Sequence, residues 1–133
     1  MNSLEIGLSG TAEIIVLEKY TARNLGSGSL DVYATPAMIA LMEQAASSAV
    51  ELYLPVEHST VGTNVNIRHM AATPIGMKVR AIAELIAIEN RKLTFKVEAF
   101  DEAEKIGEGI HERYIVANNK FLDKLNSKKV TID

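Results

Sequence analysis

The chain of 133 residues contains no cysteine, which excludes disulfides, thiolate metal sites and a cysteine nucleophile together. It has no excess of positive charge either. With 14 Lys and Arg against 17 Asp and Glu, the net charge is −3, so no general attraction to nucleic acid or to an anionic membrane is expected. No uninterrupted apolar run approaches the ~20 residues needed to span a bilayer. The opening Met-Asn-Ser-Leu-Glu-Ile holds no basic segment followed by an apolar core, so a secretory signal is not expected and a soluble, cytoplasmic protein is. Internal repeats and low-complexity segments are absent. The length suits one domain over residues 1–133, enough to bury a real core and too short for two.

The elements present run in the order strand, connector, helix, strands. Thr11 to Glu18 is rich in β-branched residues and predicts a first strand. Thr21 to Leu30 contains Gly26-Ser27-Gly28-Ser29 and predicts a flexible connector, either lid or linker. A helix is expected from Thr35 to about Tyr53, with Pro36 in its first turn and Thr35 as its cap. Strands follow over Thr60–Met70, Met77–Glu89, Lys92–Phe100 and Ile106–Ala117, the middle two joined as a hairpin at Asn90-Arg91. Residues 118–133 form a tail in which Phe121, Leu122 and Leu125 are spaced for a short amphipathic helix.

This order excludes a parallel α/β fold, because no helices stand between the strands to carry crossovers. An α+β domain is expected, an antiparallel sheet with the long helix packed on one face. Such a sheet leaves edges and a face open, and strands this apolar predict a second subunit to cover them. A homodimer or dimer of dimers follows.

Within the helix, Ala37 to Val50 is almost wholly apolar or small, and Glu43 interrupts it. A helix without a wide polar face is expected to be enclosed, and burying a carboxylate is costly unless it is paired or hydrogen-bonded. Strand alternation puts Thr63, Val65, Ile67 and His69 on one face, the apolar face that should meet the helix. Glu43 and His69 would then oppose each other, either as a satisfied structural pair or as acid and base for catalysis. Gly62 is either a strand-entry glycine or a place where a backbone N–H approaches a ligand carbonyl. Gly109, His111 and Arg113 share a face of the last strand, a solvated surface or an anion site with Arg113 as donor. His58, His69 and His111 lack compact metal-ligand spacing, so no metal site is expected.

Tyr33-Ala34-Thr35-Pro36-Ala37 through Leu41-Met42-Glu43, then Thr60-Val61-Gly62-Thr63, Ile67-Arg68-His69 and His111-Glu112-Arg113, resemble the fluoroacetyl-coenzyme A thioesterase-like group of hotdog-fold proteins. The resemblance runs from about Thr11 to Val116. It implies a hotdog fold, an antiparallel sheet wrapped around one long central helix, that pairs as dimers and binds acyl-CoA along the subunit interface. It also implies a catalytic set of Thr35, Glu43 and His69, a carbonyl-holding amide at Gly62, and assistance from Arg113. The expected reaction is hydrolysis of a small or medium acyl-CoA, with coenzyme A as part of the substrate and no further cofactor. Glu43 would serve as nucleophile or as general base. The alternatives are a non-catalytic acyl-CoA-binding or sensing domain and a hydratase, whose usual Asp-containing motif is missing. Where the fluoroacetyl-specific member carries aromatic lid residues, this chain has Gly26-Ser27-Gly28-Ser29, so general acyl-CoA hydrolysis is expected rather than fluoroacetyl selectivity. Thr35 and Glu43 lie eight residues apart, a rise of ~12 Å along a helix, so within one chain they should not hydrogen-bond directly.

Overall fold

A computed structural model describes residues 3–130. Five strands, β1 (Ser9–Ile15), β2 (His58–His69), β3 (Lys78–Glu89), β4 (Lys92–Phe100) and β5 (Lys105–Ala117), form one curled antiparallel sheet in the order β1-β3-β4-β5-β2. Three helices accompany them: α1 (Ala22–Leu25), α2 (Thr35–Val50) and α3 (Asn118–Val130). Single turns of 3₁₀ helix cover Glu18–Tyr20 and Glu51–Tyr53.

The core lies between α2 and the concave face of the sheet. Met38, Leu41, Met42, Ala45, Ala46, Ala49 and Val50 are buried, a spacing of three and four residues that makes one stripe along the helix. Period-two alternation supplies the facing surface, with Val79, Ala81, Ala83 and Leu85 from β3 and Leu93, Phe95, Val97 and Ala99 from β4. Each large side chain fully enclosed here contributes roughly 1.5–3 kcal/mol. β1 comes so close to α2 that a Cβ at Gly10 would overlap the Ala45 carbonyl and lie 2.5 Å from Ser48 Oγ. The β3–β4 hairpin turns at Asn90-Arg91, between the paired Glu89 and Lys92; Asn90 has φ of 57°, a left-handed conformation that asparagine tolerates.

Several expectations are corrected. β1 starts and ends earlier than Thr11–Glu18, because the backbone of Val16 is already bonded to the turn after Pro74, at Gly76 and Met77. The connector is ordered: Thr21 caps α1 through Asn24 N at 3.3 Å, the Arg23 N–H donates to Leu30 O, and Arg23 pairs with Asp31 at 3.3 Å. The helix expected in the tail is present and runs 13 residues, Asn118–Val130, while residues 131–133 lie outside the described residues. Helix α2 is not enclosed all round. Ala40, Gln44 and Ser48 face outward, and the Glu43 side chain retains 41% of its exposure.

The row Thr35, Ile39, Glu43, Ser47 recurs every four residues on α2 and faces β2. β2 is an end strand, so its outer edge has no partner among the described residues. A bulge at Thr63 interrupts its pairing with β5: Gly62 lies opposite Arg113, but Asn64 lies opposite Glu112. The extra residue turns Gly62 to the helix side while Val65, Ile67 and His69 keep that side, so the alternation expected for Thr63 fails at this one position.

Candidate active site

The helix-facing row meets β2 at two places. At the start of α2, Thr35 Oγ1 and His69 Nδ1 are 2.7 Å apart. Thr35 was expected to cap the helix. Ala34 takes that position without a side-chain bond, which leaves the Thr35 hydroxyl for the imidazole. Tyr33 stands edge-on to His69, with ring centroids 6.5 Å apart. Burial, then the nearby Tyr20, pushes the Tyr33 phenol far above its ordinary range, so it stays protonated and donates to Ala37 O. His69 Nε2 is buried and has no partner among the described residues. A cavity of about 290 Å³ adjoins this pair, lined among others by Ala22, Ser27, Ala71 and Ala72. Burial lowers the His69 pKa and the Ala71 backbone counters part of that, so the ring is neutral at neutral pH and able to accept a proton.

Two helical turns on, Glu43 meets a different group. Its Oε2 lies 3.5 Å from Arg113 Nη1 and so close to Gly62 that no side chain fits between them. Arg113 is buried, and it donates from Nε to Thr60 Oγ1 at 2.8 Å, from Nη2 to Thr60 O at 3.0 Å, and from Nη1 to His111 Nε2 at 3.1 Å. Burial weakens its hold on its proton while Glu43 strengthens it; a guanidinium remains cationic throughout. A second cavity of about 270 Å³ is lined by Ile39, Glu43, Gly62, Thr63, Asn64, Val65 and His111.

The facing pair of Glu43 and His69 therefore does not form within one chain. His69 does face the helix, but β2 runs antiparallel to α2, so its last residue meets the first turn and Thr35. Glu43 is met by Gly62 and Arg113 instead. The structure thus brings together Thr35 with His69, and Glu43 with Gly62 and Arg113, as two separate groups beside the edge of β2 that is unpaired among the described residues. Arg113, considered as an anion donor, already spends four of its N–H groups inside the chain. His111 was recognised only as a neighbour of Arg113 on the strand; its i, i+2 spacing with Arg113 on a strand that also holds Gly107 and Gly109 is the signal that it points inward. Among the described residues no group of three or more His, Asp or Glu is placed to hold a metal, and no helix is long and apolar enough to cross a membrane.

A curled five-stranded antiparallel sheet around one long helix, with paired polar groups along its free edge, is the hotdog fold, shared at a TM-score of 0.84 and 19% identity with a hot-dog-like protein from Thermanaerovibrio acidaminovorans that covers 92% of this chain and 91% of that one. The model of the fluoroacetyl-CoA-specific thioesterase family matches residues 16–119, and the chain belongs to that family. It is 35% identical to a fluoroacetyl-CoA thioesterase of Streptantibioticus cattleyicolor, over 96% of each protein. A crystal structure of a point mutant of the fluoroacetyl-CoA-specific thioesterase aligns with a TM-score of 0.90 at 34% identity, over 96% of this chain and 99% of that one; another crystal of such a mutant holds fluoroacetate and CoA.

Proposed function

We propose that the protein hydrolyses acyl-CoA thioesters to the free acid and CoA, at a site built from the two half-sites of a homodimer. The observation that carries this reading is the separation of the 2.7 Å Thr35–His69 pair from the Glu43–Gly62 contact, both beside the unpaired edge of β2. Two copies joined by antiparallel pairing of their β2 edges, centred between Val65 and Asn66, set each His69 across from the partner's Gly62. The Thr35–His69 pair of one subunit and the Glu43 of the other then flank one thioester. The identity with the Streptantibioticus cattleyicolor enzyme supports the substrate class, as does the CoA held by the related crystal.

In the proposed reaction, either water activated by Glu43 adds to the thioester carbonyl, or Glu43 attacks it and water then opens the resulting anhydride; in both courses a proton of that water is passed on through His69 Nε2. The Gly62 N–H stabilises the oxyanion, and collapse of the tetrahedral species releases the CoA thiolate, which recovers the proton. Thr35 holds the ring through Nδ1. Glu43 acts as nucleophile or as base for the water, and Arg113 holds its carboxylate in place. The chemistry uses no metal or redox cofactor, and the cytoplasm, where acyl-CoA is made, is the compartment it fits. Small residues beside the Thr35–His69 cavity, together with Gly26-Ser27-Gly28-Ser29 in the connector, favour acyl groups beyond fluoroacetyl.

Thiol release from acyl-CoAs of increasing chain length tests this reading, with Glu43→Ala and His69→Ala as comparisons. Turnover by the native protein and its loss in both variants is expected. Binding of CoA esters without turnover would establish a binding module instead, and consumption of an enoyl-CoA without free thiol would establish a hydratase.

A further inference from the structure

We infer that His111 is a positioning residue, which fixes the Arg113 guanidinium and through it the Glu43 carboxylate; this rests on the thioesterase reading above. His111 is 1% exposed and stacked on the fully buried Phe95, with centroids 6.4 Å apart. Its two ring nitrogens face partners of opposite kind. Nδ1 lies 2.8 Å from the Asn64 carbonyl, which can only accept, and Nε2 lies 3.1 Å from Arg113 Nη1, which can only donate. The neighbours therefore dictate one tautomer, with the proton on Nδ1 and a lone pair on Nε2.

That tautomer gives Arg113 its third anchor. Thr60 Oγ1 and Thr60 O hold one side of the guanidinium plane, and His111 Nε2 holds Nη1, the nitrogen that also faces Glu43. The Glu43 contact itself is long, at 3.5 Å, and half exposed, so it cannot position the arginine. Position is supplied from behind, by Thr60 at Nε and Nη2 and by His111 at Nη1, the nitrogen that faces Glu43. The same ring donates its Nδ1–H to the carbonyl of Asn64, the residue directly after the bulge at Thr63. One side chain thus braces both the arginine and the strand segment that puts Gly62 against Glu43. Burial and then the proximity of Arg113 keep the ring neutral, against the pull of its Asn64 contact and of Glu43 and Glu112, as an acceptor at Nε2 requires.

The test compares His111→Phe, which keeps the shape and the stacking on Phe95, with His111→Gln, whose carboxamide oxygen restores an acceptor near Nε2. In His111→Phe, kcat should fall roughly ten- to a hundredfold with KM little changed, the loss expected for one hydrogen bond to a charged group. His111→Gln should recover most of that loss. Nitrogen NMR of the native protein at neutral pH should show His111 protonated at Nδ1 and bare at Nε2. An Nε2-protonated ring overturns the inference, as does an equal loss in both variants or a rise in KM at constant kcat. An active native enzyme with unaltered kcat in His111→Phe overturns this inference alone, whereas an inert native protein defeats the thioesterase reading and this inference with it.

Discussion

Gly62→Ala separates chemistry from stability, because the atom that a new methyl meets is reactive but not structural. The added Cβ would overlap Glu43 Oε2, with His111 Cε1 at 3.2 Å and Arg113 Nη1 at 3.3 Å behind it. His111 and Arg113 are buried and braced, so the carboxylate is what moves. To regain ordinary contact it must retreat by roughly 1 Å, and a misplacement of that size in a reacting group costs on the order of a hundredfold in rate. The fold should barely register it. Glu43 is 41% exposed and its arginine contact is long, so its contribution to stability is about 0–1 kcal/mol. Gly10→Ala is the contrasting case, since its methyl meets Ala45 O and lies 2.7 Å from Ala49 N, backbone atoms of α2 that cannot turn aside. That overpacking should cost about 1–3 kcal/mol or more. The assay is thiol release beside a thermal melt for each variant. A folded Gly62→Ala protein with native kcat would refute the placement of Glu43 in the site, and a melting loss equal to that of Gly10→Ala would refute the claim that only a side-chain tip is displaced.

Three further outcomes follow, two from the Thr35–His69 pair and one from both buried histidines. Thr35→Val removes the hydroxyl that holds His69, and kcat should drop roughly ten- to a hundredfold while Thr35→Ser stays near native; comparable losses in both would assign Thr35 to packing. Burial lowers the pKa of both His69 and His111 from the ordinary 6.5, so the folded state binds fewer protons than the unfolded chain just below that pH. Stability should therefore be full above 6.5 and decline as pH falls through the depressed folded values, as denaturant melts across pH would show. The acid limb of kcat/KM should likewise lie below 6.5, because His69 must be neutral to accept a proton; a limb above 6.5 would contradict its role.

The sheet and helix were legible because each obeys one period. Alternation in β3 and β4 and the three-four spacing along α2 are both set by burial against a single core. The hairpin at Asn90-Arg91 was legible for a local reason, the left-handed tolerance of Asn90. What escaped were features set by tertiary contact. The bulge at Thr63 leaves no mark in the alternation, yet it decides that Gly62 faces Glu43. Thr35 carries the signature of a helix cap, and only the approach of β2 diverts its hydroxyl to His69. The expectation of a buried Glu43 failed for a related reason: its row on α2 faces β2, the end strand of the sheet, where the side chain keeps 41% of its exposure. The resemblance to the thioesterase group named candidate residues for the site, but the division of Thr35 and His69 from Glu43 and Gly62 came from geometry.

That division is the central claim, and subunit complementation tests it most directly. Glu43→Ala and His69→Ala, each inactive alone, would be unfolded together and refolded so that their subunits mix, with thiol release read from the mixture. If one site draws His69 from one subunit and Glu43 from the other, half the dimers are mixed and each has one intact site, so activity should recover to about a quarter of native in a two-fold dimer. If both residues serve the same site from the same chain, every site keeps one defect, and a mixture as inactive as its parents would contradict the account.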